Sequence, residues 1–160
     1  MVWKSRIRIL GRKCLVLGSG GASLAVQYVL NKLGASEVVV ISRSGENNYD
    51  NLELHADAAV IVNATPVGMY PKLIGQSPVE LSRLPHVTAV FDMVYNPART
   101  ALLQEADKLG IPACNGLLML VAQAKYAVEH FLDTRIDDAR IGEIAREILA
   151  ERSNTVLIGM

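Results

Sequence analysis

Between Lys13 and Ile41 the chain passes from an aliphatic run through a glycine cluster and a helical pattern into a second aliphatic run, an order that few folds accept. Lys13–Leu17 (KCLVL) has the pattern of a short buried strand and leads directly into Gly18-Ser19-Gly20-Gly21-Ala22-Ser23. Apolar residues then fall at Ala22, Ala25, Val26, Val29, Leu30 and Leu33, the spacing of one helical face. Gly34 supplies a stop just beyond that face, and Glu37–Ile41 (EVVVI) is the next strand pattern. Strand, glycine turn, helix and strand make one βαβ unit.

The alternation continues, with strand patterns at 58–62, 88–93 and 111–114 and helical patterns at 99–109, 116–131 and from Asp137 or Asp138 to about Glu151. Alternating strands and helices predict an α/β, doubly wound, mostly parallel sheet, a Rossmann-like dinucleotide-binding domain. The polar stretch 42–54 (SRSGENNYDNLEL) is too short for a full crossover helix. At 160 residues the chain has the length of a single domain. Hydrophobic residues make up 51% but aromatics only 5%, which suits a parallel sheet buried on both faces by Val, Leu, Ile and Ala.

Lys+Arg and Asp+Glu both number 16, so no net field favours nucleic acid or an anionic membrane as a partner. No apolar run approaches the ~18 residues of a membrane helix, and the basic N-terminus lacks the apolar centre of a signal peptide. A cytoplasmic location is expected. Cys14 and Cys114 sit in apolar stretches and read as reduced thiols. His55, His86 and His130 lack metal-ligand spacing and read as surface or loop residues, so no metal site is expected.

Gly18-x-Gly20-x-x-Ser23 is a dinucleotide fingerprint with serine at its third small position. The first glycine permits a tight turn, the second lets backbone approach a pyrophosphate, and the third small residue lets helix and strand pack closely. The helix N-terminus offers free N–H groups and a positive dipole end to the phosphates. At the end of the second strand, an acid would accept from the ribose hydroxyl of NAD, whereas an arginine suits the 2′-phosphate of NADP. The chain has Ser42-Arg43-Ser44 there, which favours NADP(H); a solvated loop arginine is the plainer alternative.

Four blocks resemble the shikimate/quinate dehydrogenase family: VLGSGGAS at 16–23, NATPVGM at 63–69, FDMVYNPARTALL at 91–103 and GLLMLVAQA at 116–124. The resemblance implies reversible NADPH-dependent reduction of 3-dehydroshikimate to shikimate, a step of aromatic amino-acid biosynthesis. It implies that Gly18, Ser19, Gly20, Gly21, Ala22 and Ser23 hold the pyrophosphate, and that Ser42, Arg43 and Ser44 surround the 2′-phosphate. Asn63, Ala64 and Thr65 would line the nicotinamide side, with Met93 and Gly116 at the nicotinamide end. Tyr95 and Gln123 would reach shikimate, with Met119 flanking the ring. Asn47 stands where family members often carry a second arginine, and the 42–58 crossover is shorter than in many relatives.

In the family, a lysine and an aspartate in a substrate domain before the glycine turn perform the proton step. Only 17 residues precede Gly18, so no catalytic residue is assigned here, and the chain is expected to hold cofactor without turning over alone. Residues 1–12 read as a connection from that domain, 13–135 as the NADP-binding domain, 136–152 as a C-terminal helix and 153–160 as a tail. Ile141, Ile144, Ala145, Ile148 and Leu149 give that helix an apolar stripe suited to self-association. The end, TVLIGM, resembles the strand before the phosphate loop of shikimate kinase, as in a dehydrogenase–kinase fusion. Competing readings are a non-catalytic NADP(H)-binding or sensing module, a quinate dehydrogenase fragment and, against the basic 42–44 turn, a methyltransferase.

Overall fold

Short β-branched and aliphatic runs bounded by glycine, proline and asparagine fold into five parallel strands. A computed structural model describes residues 7–116, 129–130, 132–140, 142–144, 146–148 and 150. The chain divides into two compact units, Met1–Asn115 and Gly116–Met160.

In the first unit the elements are β1 (Lys13–Leu17), α1 (Gly21–Lys32), β2 (Glu37–Ile41), β3 (Val60–Asn63), β4 (Ala89–Asp92), α2 (Ala101–Lys108) and β5 (Ala113–Asn115), with short 3₁₀ segments at Tyr49–His55 and Leu81–Arg83. The strands lie in the order β2-β1-β3-β4-β5, and all pairs are parallel. Side-chain alternation splits the core into two layers. Leu15, Leu17, Ile41, Ile61 and Val90 pack with Leu102, Leu103 and Ala106 of α2 on one face. Cys14, Val16, Val60, Val62 and Phe91 pack with Leu30 of α1 on the other. Helices on both faces of a parallel sheet make the doubly wound architecture that the sequence predicts.

Three local expectations change. The buried face of α1 is Ser23 and Leu30 with Val26 half-buried, whereas Ala22, Ala25 and Val29 are exposed. The small Ser23 side chain, fully buried, lets the helix approach the sheet, and its Oγ accepts a hydrogen bond from Gln27 Nε2 at 3.1 Å. Gly34, at φ +79°, ends the helix as predicted. The second change is in the third strand, which starts at Val60 rather than Ala58 and takes in Asn63, because Asn63 pairs with both Leu17 and Asp92. Finally, His55 is buried, 8% exposed, rather than a surface residue, and its Nε2 lies 2.8 Å from Asn47 Oδ1. His86 and His130 are exposed as expected.

Between β2 and β3 the described chain forms the 3₁₀ segment and no further strand, in keeping with the short crossover. In the second unit, Asp137 Oδ1 accepts the Ala139 N–H at 2.9 Å, and helical residues follow at 139–140, 142–144, 146–148 and 150. Ile144 and Ile148 are half-buried. Ile141, Ala145 and Leu149 of the predicted stripe, most of the predicted 116–131 helix, residues 1–6 and the 151–160 end lie outside the described residues.

Candidate functional site

The strands end on one line. Ile41, Leu17, Asn63, Asp92 and Asn115 are register partners across the sheet. The ladder runs one residue beyond it: Gly18 N–H donates to Ile41 O at 2.8 Å, Ala64 N–H to Leu17 O at 2.8 Å and Met93 N–H to Asn63 O at 3.0 Å. Ser42, Gly18, Ala64 and Met93 therefore leave the sheet at a common level. The strand order reverses at β1, and open α/β sheets bind ligands beyond the carboxyl ends of their strands at that switch.

Two hollows occupy this edge. The larger, about 680 Å³, is lined by Gly18, Ser19 and Gly20 after β1, Ser42 and Arg43 after β2, Ala64 to Val67 after β3, and Tyr49, Leu73 and Gln76 to Pro78 from the connecting loops. The smaller, about 330 Å³, is lined by Ala22, Ala64 to Pro66, Met69, Tyr70 and Met93 to Asn96. Of the residues singled out from sequence, Gly18, Ser19, Gly20, Ser42, Arg43, Ala64 and Thr65 meet in the larger hollow. Ala22, Met93 and Tyr95 join Ala64 and Thr65 in the smaller one. Gly21 and Ser44 are exposed and Ser23 and Asn63 buried, and these four line neither hollow. Gly116 is buried in the second unit, and Met119 and Gln123 lie outside the described residues.

The glycine turn is held by sterics. Gly18 has φ +105°, and a Cβ there would stand 2.9 Å from Thr65 Cγ2 and 3.1 Å from Ala64 O. Gly18→Ala is expected to lose ~1–3 kcal/mol of stability, the range of a residue forced into a sparse backbone region. Gly20→Ala, with nothing within 4 Å of its Cβ, should stay near wild type. Urea melts of the two variants check this, and equal losses would show that contact with the 64–65 loop does not fix the turn. Gly20 is the N-cap of α1 with no side-chain cap, and the first turn has no acid, so its N–H groups stay available to an anion.

The edge next to β3 and β4 is built on a buried carboxylate. Asp92, 1% exposed, accepts from Asn63 Nδ2 at 2.9 Å, from Val94 N–H at 3.0 Å and from Thr100 Oγ1 at 2.6 Å. Burial pushes its carboxyl above the usual aspartate range, against the pull of those three donors. Asn63 Oδ1 in turn accepts from Thr65 N–H at 3.0 Å and Thr65 Oγ1 at 2.6 Å, and Thr65 Oγ1 accepts from Val67 N–H at 3.1 Å. Thr100 also caps α2, accepting from Leu103 N–H. One network thus shapes the wall shared by the two hollows.

Sequence reasoning missed this role of Asp92, the only visible signal being an acid closing an aliphatic run. Tyr49, Leu73 and Gln76 to Pro78 carry no local signal, since tertiary folding alone brings them to the hollow. Both cysteines are free: Cys14 is buried and Cys114 half-buried, and burial pushes each thiol up to about 11. Among the described residues no cluster suits a metal ion, and no helix is long and apolar enough to cross a membrane.

An all-parallel sheet with helices on both faces and a glycine turn at its switch point defines a Rossmann-like α/β domain. No protein-family model matches the chain. The NADP(+) shikimate dehydrogenase of Caldicellulosiruptor bescii is 40% identical over 136 residues, 74% of this chain and 47% of that protein. A chorismate mutase/shikimate 5-dehydrogenase fusion protein from Clostridium acetobutylicum superposes with a TM-score of 0.86 at 34% identity, over 94% of this chain and 58% of that one. A shikimate 5-dehydrogenase from Thermus thermophilus, in complex with NADP(H) and shikimate, gives 0.76 at 31% identity, over 91% of this chain and 58% of that one. The chain belongs to the shikimate dehydrogenase family, and it spans about half the length of the curated relatives it matches.

Proposed function

We propose that this chain is the NADP(H)-holding part of an enzyme that reversibly reduces 3-dehydroshikimate to shikimate. The observation that carries this reading is Arg43. It lines the larger hollow beside Gly18 to Gly20, no carboxylate lines that hollow, and among the described residues its guanidinium has no ion-pair partner. An unpaired planar guanidinium fits a phosphate and offers nothing to ribose hydroxyls that seek an acceptor. The glycine turn and the α1 N-terminus would take the pyrophosphate, and the smaller hollow, with Met93 and Tyr95, would take the nicotinamide and the edge of the substrate ring. When bound, the nicotinamide supplies the hydride. The Thermus thermophilus relative in complex with NADP(H) and shikimate supports both ligands.

Titration of the chain should show tighter binding of NADPH than NADH, and Arg43→Ala should shrink the difference. One charge-assisted contact is worth ~1.5–3 kcal/mol, roughly ten- to hundredfold. Equal affinities in the unmutated chain would sink the assignment. No lysine, histidine or carboxylate lines either hollow, in keeping with a half whose acid–base pair would lie in the substrate domain.

A further inference from the structure

We infer that Tyr49 is a second recognition group for the adenosine 2′-phosphate, acting beside Arg43 to set NADP(H) over NAD(H); this rests on the NADP(H) reading of the larger hollow. Arg43 and Tyr49 line that hollow together. Among the described residues, neither the guanidinium of Arg43 nor the hydroxyl of Tyr49 has a hydrogen-bond partner; the bond that Tyr49 does make uses its backbone carbonyl. A phosphomonoester presents three oxygens. The planar fork of an arginine satisfies two of them, and a neutral O–H is suited to the third.

Tyr49 is held in place from three sides. Its half-buried ring packs against the core layer that contains Leu52 and Leu81. The 3₁₀ segment it opens is capped by Asn48, whose Oδ1 accepts from Asp50 N–H at 2.9 Å while Asn51 Oδ1 accepts from Asn48 N–H at 2.8 Å. Arg83 donates to the Tyr49 carbonyl at 3.1 Å. Burial raises the phenol above its usual value, more than Arg43 lowers it, so the hydroxyl stays protonated and able to donate.

The polar groups of the adjoining turn hold its shape. The Asn47 side chain is drawn to His55, and the Asn47 carbonyl accepts from Ser42 N–H at 3.1 Å. The turn that carries Arg43 is therefore braced by Asn47 and His55, and Tyr49, just beyond it in the chain, lines the same hollow.

The test is calorimetric titration of the full chain with NADPH and with NADH, in wild type, Tyr49→Phe and Arg43→Ala. Phenylalanine keeps the packed ring and removes only the donor. Tyr49→Phe is expected to weaken NADPH binding about tenfold, the loss of one hydrogen bond to a charged group, and to leave NADH within about twofold. A loss that is equal for both cofactors, or no loss for either, overturns the assignment of Tyr49. The Arg43→Ala arm tells the two failures apart. If that variant loses the NADPH preference while Tyr49→Phe keeps it, only Tyr49 is misassigned. If wild type shows no preference and Arg43→Ala changes nothing, the NADP(H) reading fails and the role of Tyr49 falls with it.

Discussion

Asp92→Ala is expected to destabilise the first unit by about 3–5 kcal/mol, with Asp92→Asn costing far less. The truncation leaves three donors without their acceptor, on Asn63, Val94 and Thr100. Each buried donor left unsatisfied costs ~1–3 kcal/mol, and Asn63 Nδ2 keeps a second acceptor in Val67 O at 3.2 Å, which places the total in the lower half of the sum. Asparagine retains one oxygen for Asn63 and Val94, and the Thr100 hydroxyl can rotate to face its amide. The pH dependence has a definite sign. Because the folded state holds the Asp92 proton more tightly than the unfolded chain does, this group's contribution is most favourable below the usual aspartate range and declines as pH rises through the raised folded value. Glu53 and Asp57, lowered by hydrogen bonds from Arg83 and Lys13, act in the opposite direction, so the difference between wild type and Asp92→Asn isolates the aspartate. Urea midpoints measured across acid to neutral pH would show it; a difference that does not change with pH would remove Asp92 as the titrating group.

Phe91→Ala should produce a loss of similar size by a different route. Phe91 is 1% exposed and packs in the layer with Cys14, Val16, Val62 and Leu30, between β4 and α1. Truncating a buried phenylalanine costs ~3–5 kcal/mol in lost transfer energy and cavity, a large share of the ~5–15 kcal/mol that a domain of this kind possesses. Phe91→Leu, which leaves a smaller void, should cost clearly less. Thermal and chemical melts of the two variants would rank them, and an alanine variant within ~1 kcal/mol of wild type would mean that the sheet and α1 close over the gap.

The strands and helices of the first unit were legible because their aliphatic runs are short and bounded by turn residues, so period and punctuation agree. The buried face of α1 was misread because counting apolar residues alone cannot see that Ser23 is small enough to sit against the sheet. Asn63 looked like the start of a loop; only its pairing with Leu17 and Asp92 makes it a strand residue. In the candidate site, the glycine turn and Arg43 were visible because phosphate chemistry requires particular residue types next to a strand end. Tyr49 and the Gln76 to Pro78 stretch were not, since their place in the hollow follows from how two loops fold over the sheet edge. His55 gave no sign of being buried, because its partner Asn47 lies in the same polar stretch.

The pairing of Asn63 with Asp92 also bears on how the sheet is assembled. Both faces of β1, β3 and β4 are largely apolar, so a parallel strand displaced by one residue would still bury apolar side chains, and hydrophobicity alone specifies the alignment weakly. The amide and the carboxylate remove that ambiguity. Slipped by one position, β3 would set Asn63 against Phe91 and leave Asp92 facing aliphatic neighbours, each with an unmet polar group inside the protein. The pair therefore serves as an alignment key, much as a lone buried asparagine selects the stagger of a coiled coil, because a misaligned sheet would leave both groups unmet.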